Sequence, residues 1–404
     1  MVSDDATISQ EPQADGGAGP LRGYRVVELA MWVAGPSAAG TLADWGAEVI
    51  KIEPPQGDPQ RQIFGALGIA TQTGVPPFEI DNRGKRSVVL DLGTADDRER
   101  LDHVLATADA FITNLRPAAL ERLALDHEAV LARFPRLVYG SLTGYGLDGP
   151  DRDRAGYDAG AFWARSGMAH TFVPPGELAP ALRAGMGDHI TGMTLAAGVL
   201  AKLLEREHTD RGGLVATSLL RAGMYVIGWD FGVQLRFGRR ERTRARHESR
   251  TPLANSYLAA DGKGFWLICL EADRHWPNVV AALGRPDLAV DPRFVDAASR
   301  LTNSVDLVAV LDEAFATRPY DEWAERFDAA DVWYSPINSI TDAVADPQVV
   351  ASGGIVEMVP RDGEEPYRAI ASPVDFDGRR QRPGPVPFLG EHTDEVLGTS
   401  DAFD

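Results

Sequence analysis

Between Tyr24 and Leu142 the apolar residues form short runs, and segments with helical spacing lie between those runs. The apolar runs predict five strands. Their ranges are 25–30, 47–52, 87–92, 110–115 and 137–142. Strands that alternate with helices in this way are typical of a parallel α/β sheet.

The strongest helical pattern begins at Thr191, and two glycines at 212–213 end it. Asp188 precedes this predicted helix, in a stretch that also contains Gly185 and Gly187. A carboxylate just ahead of a helix is either a cap or a nucleophile, and the local sequence favours a cap. We expect the carboxylate to be ionised at neutral pH, so a nucleophilic role would depend on positioning and on exclusion of water.

The pattern changes after Gly238. Seven arginines and two glutamates lie within residues 236–250, and we interpret 226–250 as a basic linker. Residues 251–349 predict a small α+β domain, because a strand pair near 257–266 precedes three helical segments. Those segments are 276–283, 304–316 and 320–329.

The charge of the chain restricts the function classes. The 404 residues carry a formal net charge of −19, which argues against general binding of nucleic acid or of anionic membranes. We expect no signal peptide and no bilayer-spanning segment, and residues 1–20 have the composition of a disordered acidic tail. The single cysteine, Cys269, fits a reducing compartment, so we expect a cytoplasmic location.

Several familiar site motifs have little support. The glycines at 35–40 do not match the dinucleotide-binding motif, which disfavours a nicotinamide site. The histidines show no metal-ligand spacing, so no metal is expected, and no G-x-S-x-G elbow occurs. The cationic cluster at 82–87 is either a solvated turn or a phosphate contact, and taken alone it favours the turn.

Eight short motifs lie in a fixed order between Leu21 and Leu397. They are AGP at 34–36, LADWGAEVIKIE at 42–53, KRSVVLDL at 85–92, TNLRP at 113–117, LTGYG at 142–146, GD at 187–188, DPQ at 346–348 and LGEHTDEVL at 389–397. Together they resemble the class III (CaiB/BaiF-type) CoA-transferases, whose relatives include formyl-CoA transferase and α-methylacyl-CoA racemase. The resemblance reverses the preference for Asp188 as a cap.

The resemblance implies that Asp188 is the covalent catalyst of a CoA-transferase. Its carboxylate would attack a donor acyl-CoA to give a mixed anhydride and the CoA thiolate. The thiolate would return to form an aspartyl-CoA thioester, and the acceptor acid would take the CoA through a second anhydride. Acyl-CoA and a free carboxylic acid are then the substrates, and no tightly bound cofactor is expected.

The resemblance also implies the contacts to CoA. They are Val33 and Ala34 in the first turn, Leu90, Asp91, Leu92 and Gly93 after the third strand, then Asn114, Leu115, Arg116 and Arg122, and finally Thr143, Gly144, Tyr145 and Gly146. Pro54 and Thr143 stand where related transferases often carry a basic residue, so we expect Arg61, Arg83 or another cation to contact the phosphates. Phe162 and Trp163 lie where many transferases have a glutamine, which predicts a bulkier and more apolar acyl site.

The implied architecture is a Rossmann-like large domain built from both chain ends plus a smaller inserted α+β domain. Residues 21–225 form the first part of the large domain, and 350–404 form the return linker and its C-terminal part. Two such subunits interlock as a homodimer, again by resemblance alone.

Two alternatives stay open. An α-methylacyl-CoA racemase or epimerase uses a His–Asp pair, but the corresponding stretch here is Gly156-Tyr157-Asp158, and tyrosine is a poor base for an α-proton. His189 could replace that histidine, although adjacent residues seldom lie on two faces of one carbon. The non-enzymatic alternative is a CoA-binding subunit without turnover of its own.

Overall fold

The chain is described by a computed structural model over residues 19–69, 74–238, 242–358, 361, 365–379 and 382–398. Nearly all of the predicted acidic tail lies outside these residues. Contacts divide the chain into two units. The larger unit comprises 1–169, 180–238 and 351–404, and the smaller unit comprises 170–179 and 239–350.

The larger unit is built around a six-stranded parallel sheet. Its strands are β1 (Arg25–Leu29), β2 (Glu48–Glu53), β3 (Arg86–Val89), β4 (Ala110–Thr113), β5 (Val138–Thr143) and β6 (Gly213–Ser218). Their order across the sheet is β3-β2-β1-β4-β5-β6, the Rossmann-like order that reverses between β1 and β4. The predicted parallel α/β sheet is confirmed, whereas β6 was not predicted because Gly212 and Gly213 interrupt the apolar pattern there.

Helices cover both faces of this sheet. In the larger unit they are α1 (Ala34–Asp44), α2 (Ile63–Ala66), α3 (Pro76–Asn82), α4 (Ala95–Leu105), α5 (Pro117–Arg122), α6 (His127–Arg133), α8 (Met186–Thr209), α9 (Leu219–Val226), α10 (Gly228–Phe237) and α18 (Thr393–Leu397), while α7 (Met168–Thr171) and α17 (Pro347–Ala351) cross the unit boundaries. Successive strand residues face opposite layers. Val26 joins the core that contains Ala38 of α1 and Leu195 of α8, whereas Val27 joins the core that contains Leu101 of α4.

Residues near the end of the chain cover the free edge of β3. The main-chain N–H of Val89 donates to Thr393 Oγ1 at 3.0 Å, and that of His392 donates to the Ser87 carbonyl at 2.9 Å. An edge strand with these partners is closed to pairing with another chain. Strands β10 (Ile355–Glu357) and β11 (Arg368–Ile370) form an antiparallel pair in the same part of the sequence.

The smaller unit combines a three-stranded antiparallel sheet with helices. Its elements are β7 (Ser256–Leu258), β8 (Gly264–Leu267), α11 (Ala272–Leu283), α12 (Asp287–Val290), α13 (Ala297–Thr302), α14 (Ser304–Phe315), α15 (Tyr320–Ala329), β9 (Tyr334–Pro336) and α16 (Ile340–Ala345). The aromatic side chains of Phe265, Phe315 and Phe327 form its buried core. Part of the predicted linker at 226–250 is helical in the larger unit as α10, and the domain boundaries stay a prediction.

Candidate active site

Asp188 lies in the first turn of α8, which begins at Met186, earlier than predicted. Gly185 precedes the helix with a left-handed φ of 79°, which glycine adopts without strain. Phe162 packs against Gly187, where a Cβ would lie 2.6 Å from the ring. The helix therefore starts early because two glycines allow a tight entry and a close contact.

The structure contradicts the interpretation of Asp188 as a helix cap. The cap position is Gly185, which has no side chain, and Asp188 is the third residue of α8. The residue is half-buried, and its carboxylate accepts no hydrogen bond from any residue in the described part of the chain. Its oxygens are therefore available to a ligand.

The surroundings of Asp188 raise the pKa of its carboxyl group well above the ordinary value for aspartate. Loss of contact with water is the largest cause that raises its pKa to about 7. The charges of Asp158 and Asp81 raise this pKa too, whereas His189 lowers it. The carboxylate is consequently about half ionised at neutral pH. The expectation of a fully ionised group, without pKa tuning, was wrong because sequence does not reveal this burial.

Asp158 begins the π-helical segment Ala159–Ala164. Its Oδ1 accepts the main-chain N–H of Ala159 at 2.7 Å. Its Oδ2 is buried and has no hydrogen-bond partner among the described residues, and the residue is only 8% exposed. Asp158 was not predicted as part of the site, because nothing in the sequence around it indicates burial near Asp188.

His189 pairs with Asp81 at the end of α3. Its Nε2 lies 3.0 Å from Oδ1 of the buried Asp81, while 45% of the His189 side chain is exposed. This hydrogen bond is the largest cause that raises the pKa of His189, and burial raises the pKa of Asp81. The imidazole therefore gains positive charge beside Asp188. Asp81 was not predicted, since it lies far from His189 in sequence.

Side-chain hydrogen bonds hold the turn between β1 and α1. Asn114 accepts the N–H of Met31 at 3.0 Å and donates to the Met31 carbonyl at 2.6 Å. Trp32 has a left-handed φ of 66°, and its N–H donates to Asp58 Oδ1 at 3.1 Å. The amide of Asn114, a predicted CoA contact, therefore positions the turn.

The same turn lies against the start of α8. A Cβ on Gly185 would lie 3.7 Å from Cγ1 of Val33, the residue that precedes α1. Trp32 packs edge to face on Tyr157, with ring centroids 6.0 Å apart at 89°, and Tyr157 is largely exposed. These contacts bring the turn, the segment that begins at Asp158 and the first turn of α8 side by side.

Two buried lysines share one glutamate beneath this turn. Lys51 Nζ donates to Glu28 Oε1 at 2.8 Å and to Asp58 Oδ2 at 2.9 Å. Lys85 Nζ donates to Glu28 Oε2 at 2.5 Å and to Asn82 Oδ1 at 3.0 Å. Burial lowers the pKa of Lys85 to about 8. Buried ions need such complete partnering, and Asp58 connects the network to the turn.

A cavity of about 350 Å³ opens where strands β1 to β4 end. Five of the predicted CoA contacts line it, namely Leu90, Asp91, Leu92, Gly93 and Leu115. Other lining residues are Leu29, Met31, Ile52, Pro54 and Leu123. Ligands of open α/β sheets bind at this end of the strands, where the strand order reverses, and the cavity has the size of a small-molecule site.

The remaining predicted contacts do not line this cavity. Val33 and Ala34 lie beside α8, and Arg116 and Arg122 are exposed at the two ends of α5. Residues 143–146 form the turn after β5, in which Thr143 Oγ1 accepts the N–H of Gly146 at 2.8 Å.

Phe162 packs beside the predicted nucleophile. Its side chain is fully buried, in contact with Gly187, and Trp163 donates from Nε1 to the Pro180 carbonyl at 3.2 Å. A bulkier and more apolar acyl site stays a prediction.

The two arginines expected to contact the CoA phosphates form ion pairs with carboxylates of the chain. Arg61 donates to both oxygens of Glu53 at 2.8 and 2.6 Å, and Arg83 donates to both oxygens of Asp44 at 3.1 and 2.6 Å. Arg83 and Lys85 are buried. Arg83 and Lys85 therefore belong to the buried interior and not to a solvated turn, and a phosphate contact by the cluster at 82–87 stays a prediction.

Arg98 in α4 is a cation that no sequence motif predicted. Its exposed guanidinium donates to the carbonyl oxygens of Leu92 at 3.0 Å and Gly93 at 3.4 Å. It forms no ion pair within the described ranges. In the sequence, only its position indicates a role at the site, because Arg98 follows the predicted contacts Leu92 and Gly93 by six and five residues.

The described residues contain neither a metal cluster nor a membrane-spanning helix. No group of histidine, cysteine, aspartate and glutamate there could hold a metal ion. No helix in that part of the chain has the length and apolar character needed to cross a bilayer.

An α/β sheet with a ligand-sized cavity at its reversal point and an unpaired, partly buried carboxylate nearby is typical of an enzyme that acts on a nucleotide-bearing substrate. The chain belongs to CoA-transferase family III, whose family model matches residues 21–393. It is therefore a CoA-transferase, and its substrates include an acyl-CoA.

The chain is similar in sequence to two named CoA-transferases and in structure to a solved CaiB/BaiF family protein. The chain is 32% identical over 380 residues to (R)-2-hydroxy-4-methylpentanoate CoA-transferase of Clostridioides difficile, covering 93% of this chain and 94% of that protein. It is 33% identical over 392 residues to cinnamoyl-CoA:phenyllactate CoA-transferase of Clostridium sporogenes, covering 93% and 92%. A CaiB/BaiF family protein from Brucella suis has a similar crystal structure, with a TM-score of 0.82, 29% identity and coverage of 94% and 98%.

Proposed function

We propose that this enzyme moves CoA from an acyl-CoA donor to a free carboxylic acid through covalent intermediates on Asp188. The observation that carries the proposal is the Asp188 carboxylate itself. It is half-buried at the start of α8, has a pKa of about 7, and accepts no hydrogen bond from the described residues.

The reaction begins when ionised Asp188 attacks the thioester carbonyl carbon. The carbon–sulfur bond breaks, and a mixed anhydride and the CoA thiolate result. The thiolate then attacks the aspartyl carbonyl carbon, which releases the donor acid and leaves an aspartyl-CoA thioester. The acceptor carboxylate attacks that thioester, and the thiolate it displaces attacks the acceptor's acyl carbon, which regenerates Asp188. Exclusion of water conserves the thioester.

The variant Asp188→Ala tests this mechanism. We expect it to fold and to bind CoA but to lose transfer by at least about a thousandfold, because no covalent intermediate can form. Mass spectrometry of the wild type after mixing with donor is expected to find an acyl or CoA adduct on Asp188. Asp306, an exposed aspartate at the third position of α14, provides the matched control Asp306→Ala. Undiminished turnover in Asp188→Ala excludes the covalent route.

We propose Arg98 as a phosphate contact of CoA. Its guanidinium donates to the carbonyl oxygens of Leu92 and Gly93, which line the cavity, and it has no acidic partner among the described residues. We expect Arg98→Ala to weaken binding of CoA about tenfold or more, and binding of 3′-dephospho-CoA less if the 3′-phosphate is the group it contacts. Calorimetric titration with both ligands measures this. Arg100→Ala, in the same helix but paired with Asp97, is the control.

The acceptor that fits the charge around Asp188 is a monocarboxylic acid with an apolar side chain. Two other acids, Asp81 and Asp158, lie close to Asp188 and oppose a second carboxylate. Trp32 and Tyr157 provide aromatic surface nearby. Two similar enzymes are named for (R)-2-hydroxy-4-methylpentanoate and for phenyllactate, and a screen of such acids against succinate and glutarate tests the preference.

We also propose an interlocked homodimer. Helices α9 and α10 support it, because they expose a series of large apolar side chains that in most proteins would be covered. These are Tyr225 and Trp229, each 86% exposed, with Leu235 and Phe237. No residue of α10 is buried by the described part of its own chain.

One observation favours a second activity, exchange of the α-proton as in a racemase. His189 is oriented by the buried Asp81 and is partly exposed beside Asp188, as a catalytic base would be. Consecutive helical residues point about 100° apart, however, so the pair is poorly placed to flank one carbon. Deuterium incorporation from heavy water into the acyl-CoA without any acceptor acid indicates racemase chemistry, and its absence excludes it.

A further inference from the structure

Trp32 has a backbone conformation that a bulky residue rarely adopts. Its φ of 66° lies in the left-handed region, where a large side chain is an outlier. In the described part of the chain the other non-glycine residues with a left-handed φ are Ala124 and three aspartates, so Trp32 is the one aromatic case. Asparagine and aspartate tolerate this conformation better. Strain of this kind is typical of residues at functional sites.

Buried hydrogen bonds hold Trp32 in that conformation. Its main-chain N–H donates to Asp58 Oδ1 at 3.1 Å, and Oδ2 of Asp58 accepts from Lys51 Nζ at 2.9 Å. The main-chain N–H of Asp58 donates in turn to Glu53 Oε2 at 3.0 Å. The side chains of Asp58 and Lys51 are fully enclosed, so the turn cannot relax without breaking a buried charged network. Asp58 is therefore a positioning residue for Trp32.

The strained turn places Trp32 between the cavity and the predicted nucleophile. Met31, which precedes it, lines the cavity at the carboxyl ends of the strands. Val33, which follows it, lies against the entry to α8, where a Cβ on Gly185 would be 3.7 Å from Cγ1 of Val33. A thioester that extends from the cavity to Asp188 would pass this turn, and its acyl group would end beside Trp32.

Tyr157 completes an aromatic surface at this place. Its ring packs edge to face on Trp32, with ring centroids 6.0 Å apart at 89°. The segment before it is closely packed, because a Cβ on Gly156 would lie 2.8 Å from the ring of Tyr145. Tyr157 is 63% exposed, and Trp32 is partly exposed. Two rings that contact each other and remain open to solvent offer an apolar ligand aromatic faces and edges.

We propose that Trp32 and Tyr157 determine the specificity of the acyl site and select an acyl group that carries a phenyl ring, as in 3-phenylpropanoyl-CoA. This specificity rests on the proposed function, since the acyl group must reach Asp188. A phenyl ring in contact with both side chains removes apolar surface from water and adds a third ring to an aromatic pair. Propanoyl-CoA has the same chain without the ring and gains neither contact.

Exchange between an acyl-CoA and its own isotope-labelled acid tests this preference. The full-length enzyme receives 3-phenylpropanoyl-CoA with labelled 3-phenylpropionate, or propanoyl-CoA with labelled propionate. Mass spectrometry of the acyl-CoA gives kcat/KM for each pair. The ratio of the two values is the selectivity, and it does not depend on the folded fraction of a variant. We expect the wild type to favour the phenyl pair by about tenfold or more.

Two variants remove the aromatic surface. Trp32→Asn introduces a residue that tolerates the left-handed φ. We expect its ratio to fall about tenfold or more, because the phenyl pair loses a contact that the propanoyl pair never makes. Tyr157→Ala should lower the ratio about three- to tenfold, whereas Tyr157→Phe keeps the ring and should hold the ratio within about twofold of the wild type.

Tyr24→Asn is the matched control, because Tyr24 is also a partly exposed aromatic residue but lies at the opposite end of β1. It should keep the wild-type ratio. A Trp32→Asn enzyme with a ratio within about threefold of the wild type overturns the specificity role. An equal fall in Tyr24→Asn does so too, as does a wild type that favours the propanoyl pair.

If Trp32→Asn does not fold, Tyr157→Ala decides, and an unchanged ratio in that variant overturns the proposal. The function beneath it fails in a different way. A wild type that exchanges neither acid overturns the proposed transfer of CoA, and exchange that persists in Asp188→Ala overturns only the covalent route.

Discussion

At residue level, Asp188 places an acid where water is largely excluded and other acids lie close. Ionising a carboxylate in such a place is unfavourable for the fold, although the ionised form is the one that attacks a thioester. Carboxylates with strongly raised pKa values are often found at functional sites for this reason. The same residue is therefore expected to support catalysis and to limit stability.

The variant Asp188→Asn should show in its melting temperature that the ionised Asp188 carboxylate lowers the stability of the fold. The pKa of Asp188 in the folded state, about 7, lies above the ordinary value of 3.8. Protonation therefore stabilises the fold, and this stabilisation is complete only below the ordinary value and is lost as the pH rises from about 4 to 7. Asn has no proton to lose, so we expect the variant to melt a few degrees above the wild type near pH 8.5 and by a much smaller margin near pH 4. Scanning calorimetry at both pH values checks this, and an equal gain at both pH values contradicts it.

The pairing of His189 with Asp81 makes a second prediction at residue level. The hydrogen bond that His189 donates to the Asp81 carboxylate raises the pKa of His189. The Asp81→Asn variant keeps the shape but removes the charge, so the pKa of His189 should fall. Titration of the imidazole C–H signal by NMR measures the change. The C–H signal of the exposed His208, at the end of α8, serves as the internal reference.

At the level of elements, the close approach of α1 and α8 brings the predicted nucleophile and the first turn together. Gly192 makes that approach possible, because a Cβ there would lie 2.1 Å from Ser37 Oγ and 2.8 Å from the Ala34 carbonyl. The Ala34 carbonyl belongs to the main chain, so it cannot move away from an added methyl group as the end of a flexible side chain could. The position of Val33 and Ala34 relative to Asp188 thus depends on a missing methyl group.

Replacing that glycine tests the dependence. We expect Gly192→Ala to lower the free energy of unfolding by about 1–3 kcal/mol through overpacking, in spite of alanine's higher helix propensity, and to slow transfer. Thr194 is exposed in the same helix. Thr194→Ala should therefore change the free energy of unfolding by less than about 0.7 kcal/mol. Urea unfolding of both variants gives the comparison, and similar effects at the two positions refute the packing argument.

Sequence patterns predicted the elements better than they predicted the site. Apolar runs located β1 to β5 because each strand is buried on both faces. The position of Asp188 was found by resemblance, but its solvation was not, since Asp81 and Asp158 approach it from distant parts of the chain. The pairing of Arg61 with Glu53 and of Arg83 with Asp44 also depends on how strands and helices meet. Such partners cannot be read from spacing along the chain.

At the level of the whole molecule, the exposed faces of α9 and α10 are incomplete in a single chain. Aromatic and aliphatic side chains there are surrounded by solvent, while the sheet beside them has a fully buried core. Exposed apolar surface of this extent usually marks an interface. A second copy of the chain is the occupant that we propose.

A charge on this face should separate the copies. We expect Trp229→Glu to shift sedimentation from dimer toward monomer and to lower the melting temperature, because a carboxylate cannot be buried there without a partner. Leu204→Glu, at an exposed leucine of α8, is the control. Analytical ultracentrifugation distinguishes the species, and a wild type that sediments as a monomer rejects the interface.

Glu28 lies between two lysine side chains that are wholly enclosed by protein, and one carboxylate bonds to both ammonium groups. Loss of Glu28 leaves Lys85 without a carboxylate partner and Lys51 with Asp58 alone, in a medium that solvates ions poorly. Substitutions at positions 28 and 85 should therefore occur together. In an alignment of relatives, a neutral residue in place of Glu28 is expected together with an uncharged residue at 85.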